Sequence, residues 1–345
     1  MEYVEVDGSR GEGGGQILRT AVAFSAIVGK PVRVSKVRAG REVPGLKRQH
    51  ASSLRVLSEV FDCTLGGAVE GSSEVTFAPG PLRSREVSID MGTAASIPLV
   101  LQAVIPAVSL SNSSLRLRLR GGTDVPWSPT FDYLTRVVQP VFGAAGVRFD
   151  ARATRRGYYP KGGGKVEASI EPCPMPNPLR LDSPATLAEV TLSSRCGALP
   201  RHVAERQARA AKEVLVETGL NVREEVTLEE SDSPGSSITI SATSNSAFLG
   251  SDALGSRGRR AEEVGLDSAS RFVAYLKSGA CLDDNVADML IPLLSLADGP
   301  SAVRLASVTP HLESGIELAR LFTSCEFLTR NDGGGTVLEA RPSGR

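Results

Sequence analysis

A histidine placed where an apolar run gives way to a helix is the first residue here with chemistry to offer. His311 closes the segment VRLASVTPH and is one of three histidines, with His50 and His202, in 345 residues. Val303 to Val308 reads as a strand, Thr309-Pro310 as a turn, and Leu312 to Phe322 as a helix. The positive end of a helix dipole works against an imidazolium and attracts anions. A neutral imidazole beside a phosphate is what nucleophilic attack on phosphorus requires. Taken alone, His311 is as well explained as a residue that caps a turn.

The chain opens with VEVDGSRGEGGGQILRT, a strand and a helix joined by glycines 11, 13, 14 and 15. Backbone N–H groups in such a turn can cradle an anion. It is neither a P-loop, lacking G-K-[ST], nor G-x-G-x-x-G, since Gln16 holds the last glycine position. Glu12 inside the turn repels phosphate unless a divalent cation lies between, so it is either a Mg²⁺ ligand or a solvated turn acid. Arg19 follows on the helix, and VRAGREVPGLKRQH then gathers Arg38, Arg41, Lys47, Arg48, Gln49 and His50 around a Pro-Gly turn. Arginine forks suit phosphate oxygens, at about 1.5–3 kcal/mol per charge-assisted hydrogen bond. A second basic stretch, RATRRGYYPKGGGK, interleaves Tyr158 and Tyr159 with cations. It reads either as a track for single-stranded nucleic acid or as a basic hairpin with packed tyrosines.

The elements that must position these residues repeat. Segments from Gln16, Ala94 and Asn285 each run apolar helix, Gly, Ser or Pro break, short alternating strand, then polar loop. Helix, strand, turn and strand follow each loop. The unit is βαβαββ, written three times, and one unit buries too little alone, so three pack together. Arg38 and Arg41, Gly121 to Asp124, and His311 fall in the loop after the same strand of successive units, and pseudo-threefold packing would bring them near one another. Between the second unit and the helix starting near Asn285 lie about a hundred extra residues, reading as strand (188–192), helix (200–218), strands (222–228, 237–242, 247–249) and helix (259–277). The expected architecture is α/β (α+β): a core of residues 1–184 and 279–345, with a smaller α/β domain, 185–278, inserted. The ends of an insert must lie close together.

Composition narrows the partners. Lysine plus arginine equals aspartate plus glutamate at 39 each, so an anionic ligand must be held by a local cluster. Five scattered cysteines without a C-x-x-C pair point to a reducing compartment. MEYVEVDG reads as strand and turn and not as a signal region, and Ala94 to Leu110, interrupted by Pro98 and Pro106, is short for a membrane span. A cytoplasmic protein is expected.

Taken in order, DGSRGEGGGQILRTA, REVPGLKRQH, DMGTAASIPLVLQAVIPA, GGTDVPWSP, GYYPKGGG, HVAER, AEEVG and the late TPH resemble the RNA 3′-terminal phosphate cyclases over nearly the full chain. The resemblance implies an enzyme that uses ATP and Mg²⁺ (or Mn²⁺) to adenylate a histidine, moves AMP to an RNA 3′-phosphate, and closes a 2′,3′-cyclic phosphate. By motif position it implies His311 as nucleophile and Glu12 as metal ligand. It implies Arg19, Arg41, His50, Gln102, Pro129 and Asp288 for the nucleotide, and Arg38 and Gln49 for the RNA end. The implied fold, three βαβαββ units plus an inserted α/β domain, agrees with the division read from the repeats.

Two positions depart from the family. Asn285 stands where members commonly carry a tyrosine for adenine stacking, and HLESG replaces the common Thr-x-Thr-Asn after the histidine. The alternatives are a non-catalytic cyclase-like RNA-binding factor in RNA processing or ribosome assembly, favoured by HLESG, and an enolpyruvyl-type transferase on a related repeated fold. The transferase needs neither a histidine nucleophile nor an adenylate.

Overall fold

A computed structural model describes residues 2–11, 14–331 and 335–343. The first unit is β1 (Val4–Asp7), α1 (Gly15–Val28), β2 (Val32–Ser35), α2 (Arg48–Val60), β3 (Thr64–Gly66) and β4 (Val75–Ala78). The second begins with β5 (Glu86–Asp90), α3 (Ile97–Leu110) and β6 (Leu115–Gly121). It continues through α4 (Phe131–Tyr133), a π-helical turn (Leu134–Val138), α5 (Gln139–Ala144), β7 (Phe149–Arg155) and β8 (Gly164–Ile170). Then come β9 (Arg180–Leu181), β10 (Glu189–Gly197), α6 (His202–Val216), β11 (Asn221–Glu229), β12 (Gly235–Thr243), β13 (Phe248–Leu254) and α7 (Ala261–Lys277). The chain ends with α8 (Asp284–Met289), α9 (Ile291–Ser295), β14 (Ser301–Leu305), α10 (Pro310–Phe322), β15 (Glu326–Asn331) and β16 (Thr336–Arg341).

Three sheets share one topology. The orders β1-β2-β4-β3, β5-β6-β8-β7 and β9-β14-β16-β15 each place a parallel pair first and two antiparallel pairs after it. The repeat is therefore real, and its third copy is split: β9 pairs with β14 although β10 to α7 intervene. Ala185 N–H donates to the Gly279 carbonyl at 3.3 Å, so the intervening segment leaves and returns at one point. Its sheet, β11-β10-β12-β13, has a different order and its own apolar cluster with α6 and α7.

Alternation explains the outer sheets. In β6, LRLRLRG, the leucines are buried and the arginines exposed, as a sheet with one covered face demands. The helices meet on the covered faces and join one core across the three units, where Phe24 of α1 stacks on Phe322 of α10 at 5.6 Å. α3 is apolar all round and buried almost throughout; Pro98 lies in its first turn, where no N–H is missed, and Ser96 caps it by accepting from Leu99 N–H. Among the described residues no helix is long and apolar enough to cross a membrane.

β12, GSSITISAT, is covered on both faces. Ile238 and Ile240 face the α6–α7 cluster, while the opposite row of hydroxyls lies against α4 and the π turn, where Thr239 meets Thr130 Oγ1 at 2.8 Å. A buried charge network fastens the same contact. Arg156, only 5% exposed, pairs with Asp124 and Glu229, each at 3.2 Å, and with Asp132; Arg195 pairs with Asp132 and Glu229.

Candidate active site

The strand before His311 is Ser301–Leu305, ending before the expected Val308, and α10 begins at Pro310. His311 thus sits inside the first helical turn. Thr309 caps it by accepting from Leu312 N–H at 3.1 Å, and Pro310 fills the position where a proline costs no hydrogen bond. The strand stops early because Ala306 to Val308 must climb from the sheet to the helix.

The glycine-rich turn is the hub of the site. Its glycines are required by close approach: a Cβ at Gly11, where φ is +55°, would lie 2.1 Å from Ser314 Oγ, and one at Gly15 would lie 2.0 Å from His50 Nε2. Arg41 reaches toward Gly14. The residue after the turn, Gln16, donates from Nε2 to Asp288 Oδ2 at 2.8 Å and to the His311 carbonyl at 3.4 Å. One turn therefore touches the basic loop of the first unit and the first turn of α10 in the third. Gln16 was visible in sequence only as the residue that broke a glycine motif.

Beside this hub, the first helix of each unit lines one cavity. α1 supplies Arg19, α3 supplies Gln102, and Asp288 comes from the α8–α9 pair. Gln16 Oε1, Arg19 Nε and Asp288 Oδ1 are buried without a hydrogen-bond partner. Three orphaned polar atoms of this kind call for a polar partner, whether water, ion or ligand. Burial lowers Arg19 to about 10, with Asp288 opposing the shift. Burial raises Asp288 to about 8, helped by Asp283 and opposed by Arg19 and Gln16. Burial thus works against the charge of both groups, and each is the other's nearest compensating charge.

His50 adds a neutral donor. Burial, and then Arg19, Arg38 and Lys47, push it down to about 3. Its Nδ1 accepts from Lys47 N–H at 3.4 Å, so the proton resides on Nε2, the atom turned to Gly15. Arg38, at φ +56°, spends one end of its guanidinium on the carbonyls of Val43 and Gly45, and burial and Arg41 lower it. Gln49 lies beside His50 on the first turn of α2; Arg48 turns away to Glu70 at 2.8 Å. Asn285 is exposed one turn before Asp288, on the same face of α8.

Pro129 stands at a rim. Its neighbour Ser128 bonds Ser96 at 2.5 Å, and Ser96 caps α3 about 9 Å along the axis from Gln102. The Gly121–Asp124 loop does not join His311 by any contact described; Asp124 turns inward to Arg156. The basic stretch of the second unit divides in the same way, Arg156 and Tyr158 buried, Tyr159 and Lys161 exposed. Glu12 lies outside the described residues, among which no group of three or more ligating side chains could hold a metal ion.

Gly15→Ala is expected to force His50 out of place, at about 1–3 kcal/mol if the site resists. ATP affinity measured by calorimetry should fall at least severalfold, and His50→Ala should add little to that loss. Full affinity in Gly15→Ala would remove His50 from the pocket.

Comparison with known proteins gives the family. The family model described as RNA 3′-terminal phosphate cyclase matches residues 10–329. The RNA 3′-terminal phosphate cyclase of Methanopyrus kandleri is 40% identical over 100% of both chains. That of Ignicoccus hospitalis is 43% identical over 92% of each chain, and that of Thermococcus gammatolerans is 43% identical over 95% of this chain and 94% of its own. A solved EPSP synthase from Acinetobacter baumannii aligns with 94% of this chain and 62% of its own at 12% identity and a TM-score of 0.29, too low to bear on chemistry. With the family model matched over residues 10–329 and a relative 40% identical over both full lengths, this chain belongs to the RNA 3′-terminal phosphate cyclase family.

Proposed function

We propose that the chain converts an RNA 3′-phosphate end into a 2′,3′-cyclic phosphate at the expense of ATP. A His311 ring nitrogen attacks the α-phosphorus of ATP and pyrophosphate leaves. An oxygen of the RNA 3′-phosphate then takes the AMP and frees the histidine. Finally the adjacent 2′-hydroxyl attacks the activated 3′-phosphorus, its proton is lost, and AMP departs. A phosphate monoester is a poor electrophile, so capping it supplies the leaving group, and the neighbouring hydroxyl acts at high effective concentration.

The observation that carries this reading is the convergence of orphaned Arg19 Nε and Asp288 Oδ1 on a cavity joined through Gln16 to the turn bearing His311. Arg19, Arg41, His50, Gln102, Pro129 and Asp288 would hold the nucleotide; Arg38 and Gln49 would meet the RNA end. Fixed donors in a partly buried site stabilise phosphate charge without reorganising. A Mg²⁺ or Mn²⁺ ion would be held by Glu12 and, when bound, supplies charge neutralisation on the phosphates. Residues 1–184 and 279–345 would form the core and 185–278 an inserted domain. A support role for the insert follows from two contacts: Asp252 accepts from Thr130 N–H next to Pro129, and Gly250 N–H donates to Asp283, the cap of α8. A non-catalytic RNA-binding factor is the second reading; nothing in that role requires orphaned donors beside a histidine.

Three polynucleotide ends separate the readings. With ATP and a divalent cation, a 3′-phosphorylated RNA should be cyclised and a 3′-hydroxyl RNA left untouched. A DNA 3′-phosphate should accept AMP at best and stop there, because it lacks the 2′-hydroxyl. Arg38→Ala should still form the enzyme adenylate and transfer it slowly. Modification of the 3′-hydroxyl RNA would overturn the reaction class.

A further inference from the structure

The only tryptophan of the chain, Trp127, is 95% exposed. Tryptophan is the side chain with most to gain from burial, and this one is held out by a backbone at φ +66°, a conformation that bulky L-residues seldom adopt. Such a conformation persists only where its surroundings impose it. They do so here. On one side Ser128 bonds Ser96; on the other Asp124 bridges Tyr158 and pairs with Arg156. Thr130, three residues on, is fixed by Asp252 and Thr239.

The bridge between Asp124 and Tyr158 is parallel, so the residues that follow each leave it in the same direction. One segment presents Trp127, the other Tyr159, 66% exposed, and then exposed Lys161. That second turn is equally fixed: Lys161 N–H donates to Ser233 Oγ at 3.1 Å, and a Cβ on Gly162 would lie 2.8 Å from Ala94 Cα. Two exposed aromatic side chains on fixed turns that leave the bridge in the same direction, one followed closely by an exposed lysine, make a surface suited to unpaired bases, which every nucleobase can cover with its π-face. The tryptophan segment runs on into Pro129, one of the residues proposed above for the nucleotide.

We propose that Trp127, with Tyr159, forms a stacking platform for a base of single-stranded RNA upstream of the reacting 3′ end. The proposal rests on the RNA-end reading above and adds where the body of the strand lies. Its chemistry is sequence-tolerant, since stacking ranks bases weakly and reads no hydrogen-bonding edge.

Because Trp127 is the sole tryptophan, its emission reports the platform directly in the natural protein. A 3′-phosphorylated, 5′-dye-labelled RNA oligomer should quench that emission and raise dye anisotropy at the same midpoint. Trp127→Ala should weaken RNA binding by roughly 5- to 150-fold, the effect of one lost base–aromatic stack, and Trp127→Phe should recover most of it. RNA binding that leaves the wild-type emission unchanged, or equal affinity in folded Trp127→Ala, overturns the platform and leaves the proposed reaction standing. Full quenching by ATP alone, with none added by RNA, moves Trp127 to the nucleotide and also overturns it. An emission change that follows protein concentration without RNA shows a second copy on this face and does the same. If wild type is labelled by ATP but binds no RNA, both this proposal and the RNA-end reading fall.

Discussion

Replacing His311 by alanine is expected to abolish covalent labelling of the protein by α-labelled ATP, whereas His202→Ala should label normally. Three histidines exist, and the structure gives them different work. His202 is exposed at the start of α6, beside the β10–β13 sheet. His50 Nδ1 accepts from the Lys47 N–H, which leaves Nε2, close to Gly15, as the protonated nitrogen; it can donate to an anion but has no free lone pair for attack. Each histidine lies in the first turn of its helix, but only the His311 carbonyl accepts from Gln16, which also donates to the cavity acid Asp288. A phosphoramidate should be acid-labile and stable to alkali. Loss should be complete, because a nucleophile has no substitute in the step it performs. Gel autoradiography of wild type and the three alanine variants decides the matter. Equal labelling of His311→Ala and wild type would remove His311 from the nucleophile's role, and labelling lost only with His50→Ala would transfer it.

The departure at HLESG acquires a physical meaning in this setting. Ser314 is the residue that Gly11 approaches, and its own hydroxyl donates to the Pro310 carbonyl at 2.8 Å. A small side chain there lets the glycine-rich turn close over α10. The segment that differs from the family pattern is thus used to seat the hub, while Thr309, Pro310 and Gln16 hold the backbone of the turn that carries His311.

Periodicity made much of this fold readable. β6 alternates leucine with arginine, α3 carries an uninterrupted apolar surface, and each predicts its element and its buried face. The repeat was legible because three separate helices are followed by the same breaks. Two kinds of feature escaped. β9 is two residues long and finds its partner β14 across the whole β10–α7 segment, so no local pattern marks it. β12 shows isoleucines alternating with hydroxyls, which in sequence means a solvated face; here that face is buried against α4 and the π turn. Side-chain roles failed for the same reason. Tyr158 and Arg156 lie in a run of surface-like residues, yet long-range partners such as Glu229 draw Arg156 inside, and Gly235 makes room for the Tyr158 ring.

Arg156→Met is expected to destabilise the protein by about 3–5 kcal/mol, the cost of breaking a buried ion network from one side. Burial works against the charge of Arg156, but Asp124, Asp132 and Glu229 hold it protonated above its usual range. Without it, Arg195 still serves Asp132 and Glu229, while Asp124 keeps only the Thr123 hydroxyl at 2.7 Å; its Oδ1 already lacks a partner. Adding Asp124→Asn should therefore restore part of the loss. The pH dependence has a definite sign. In the wild type, burial would raise Asp132, yet Arg156 and Arg195 hold it below the usual carboxylate range, so its contribution is present at neutral pH and fades as pH falls through that lowered value. In the variant the stranded carboxylates are raised and protonate on the way down, which relieves the defect. The gap in unfolding free energy between Arg156→Met and wild type should narrow as pH falls from 7 toward 4. Denaturant titrations across that range measure it, with the usual check that unfolding is two-state. A deficit below about 1 kcal/mol at pH 7, or one that widens in acid, would mean that the network is solvated and does not hold the β10–β13 sheet against the second unit.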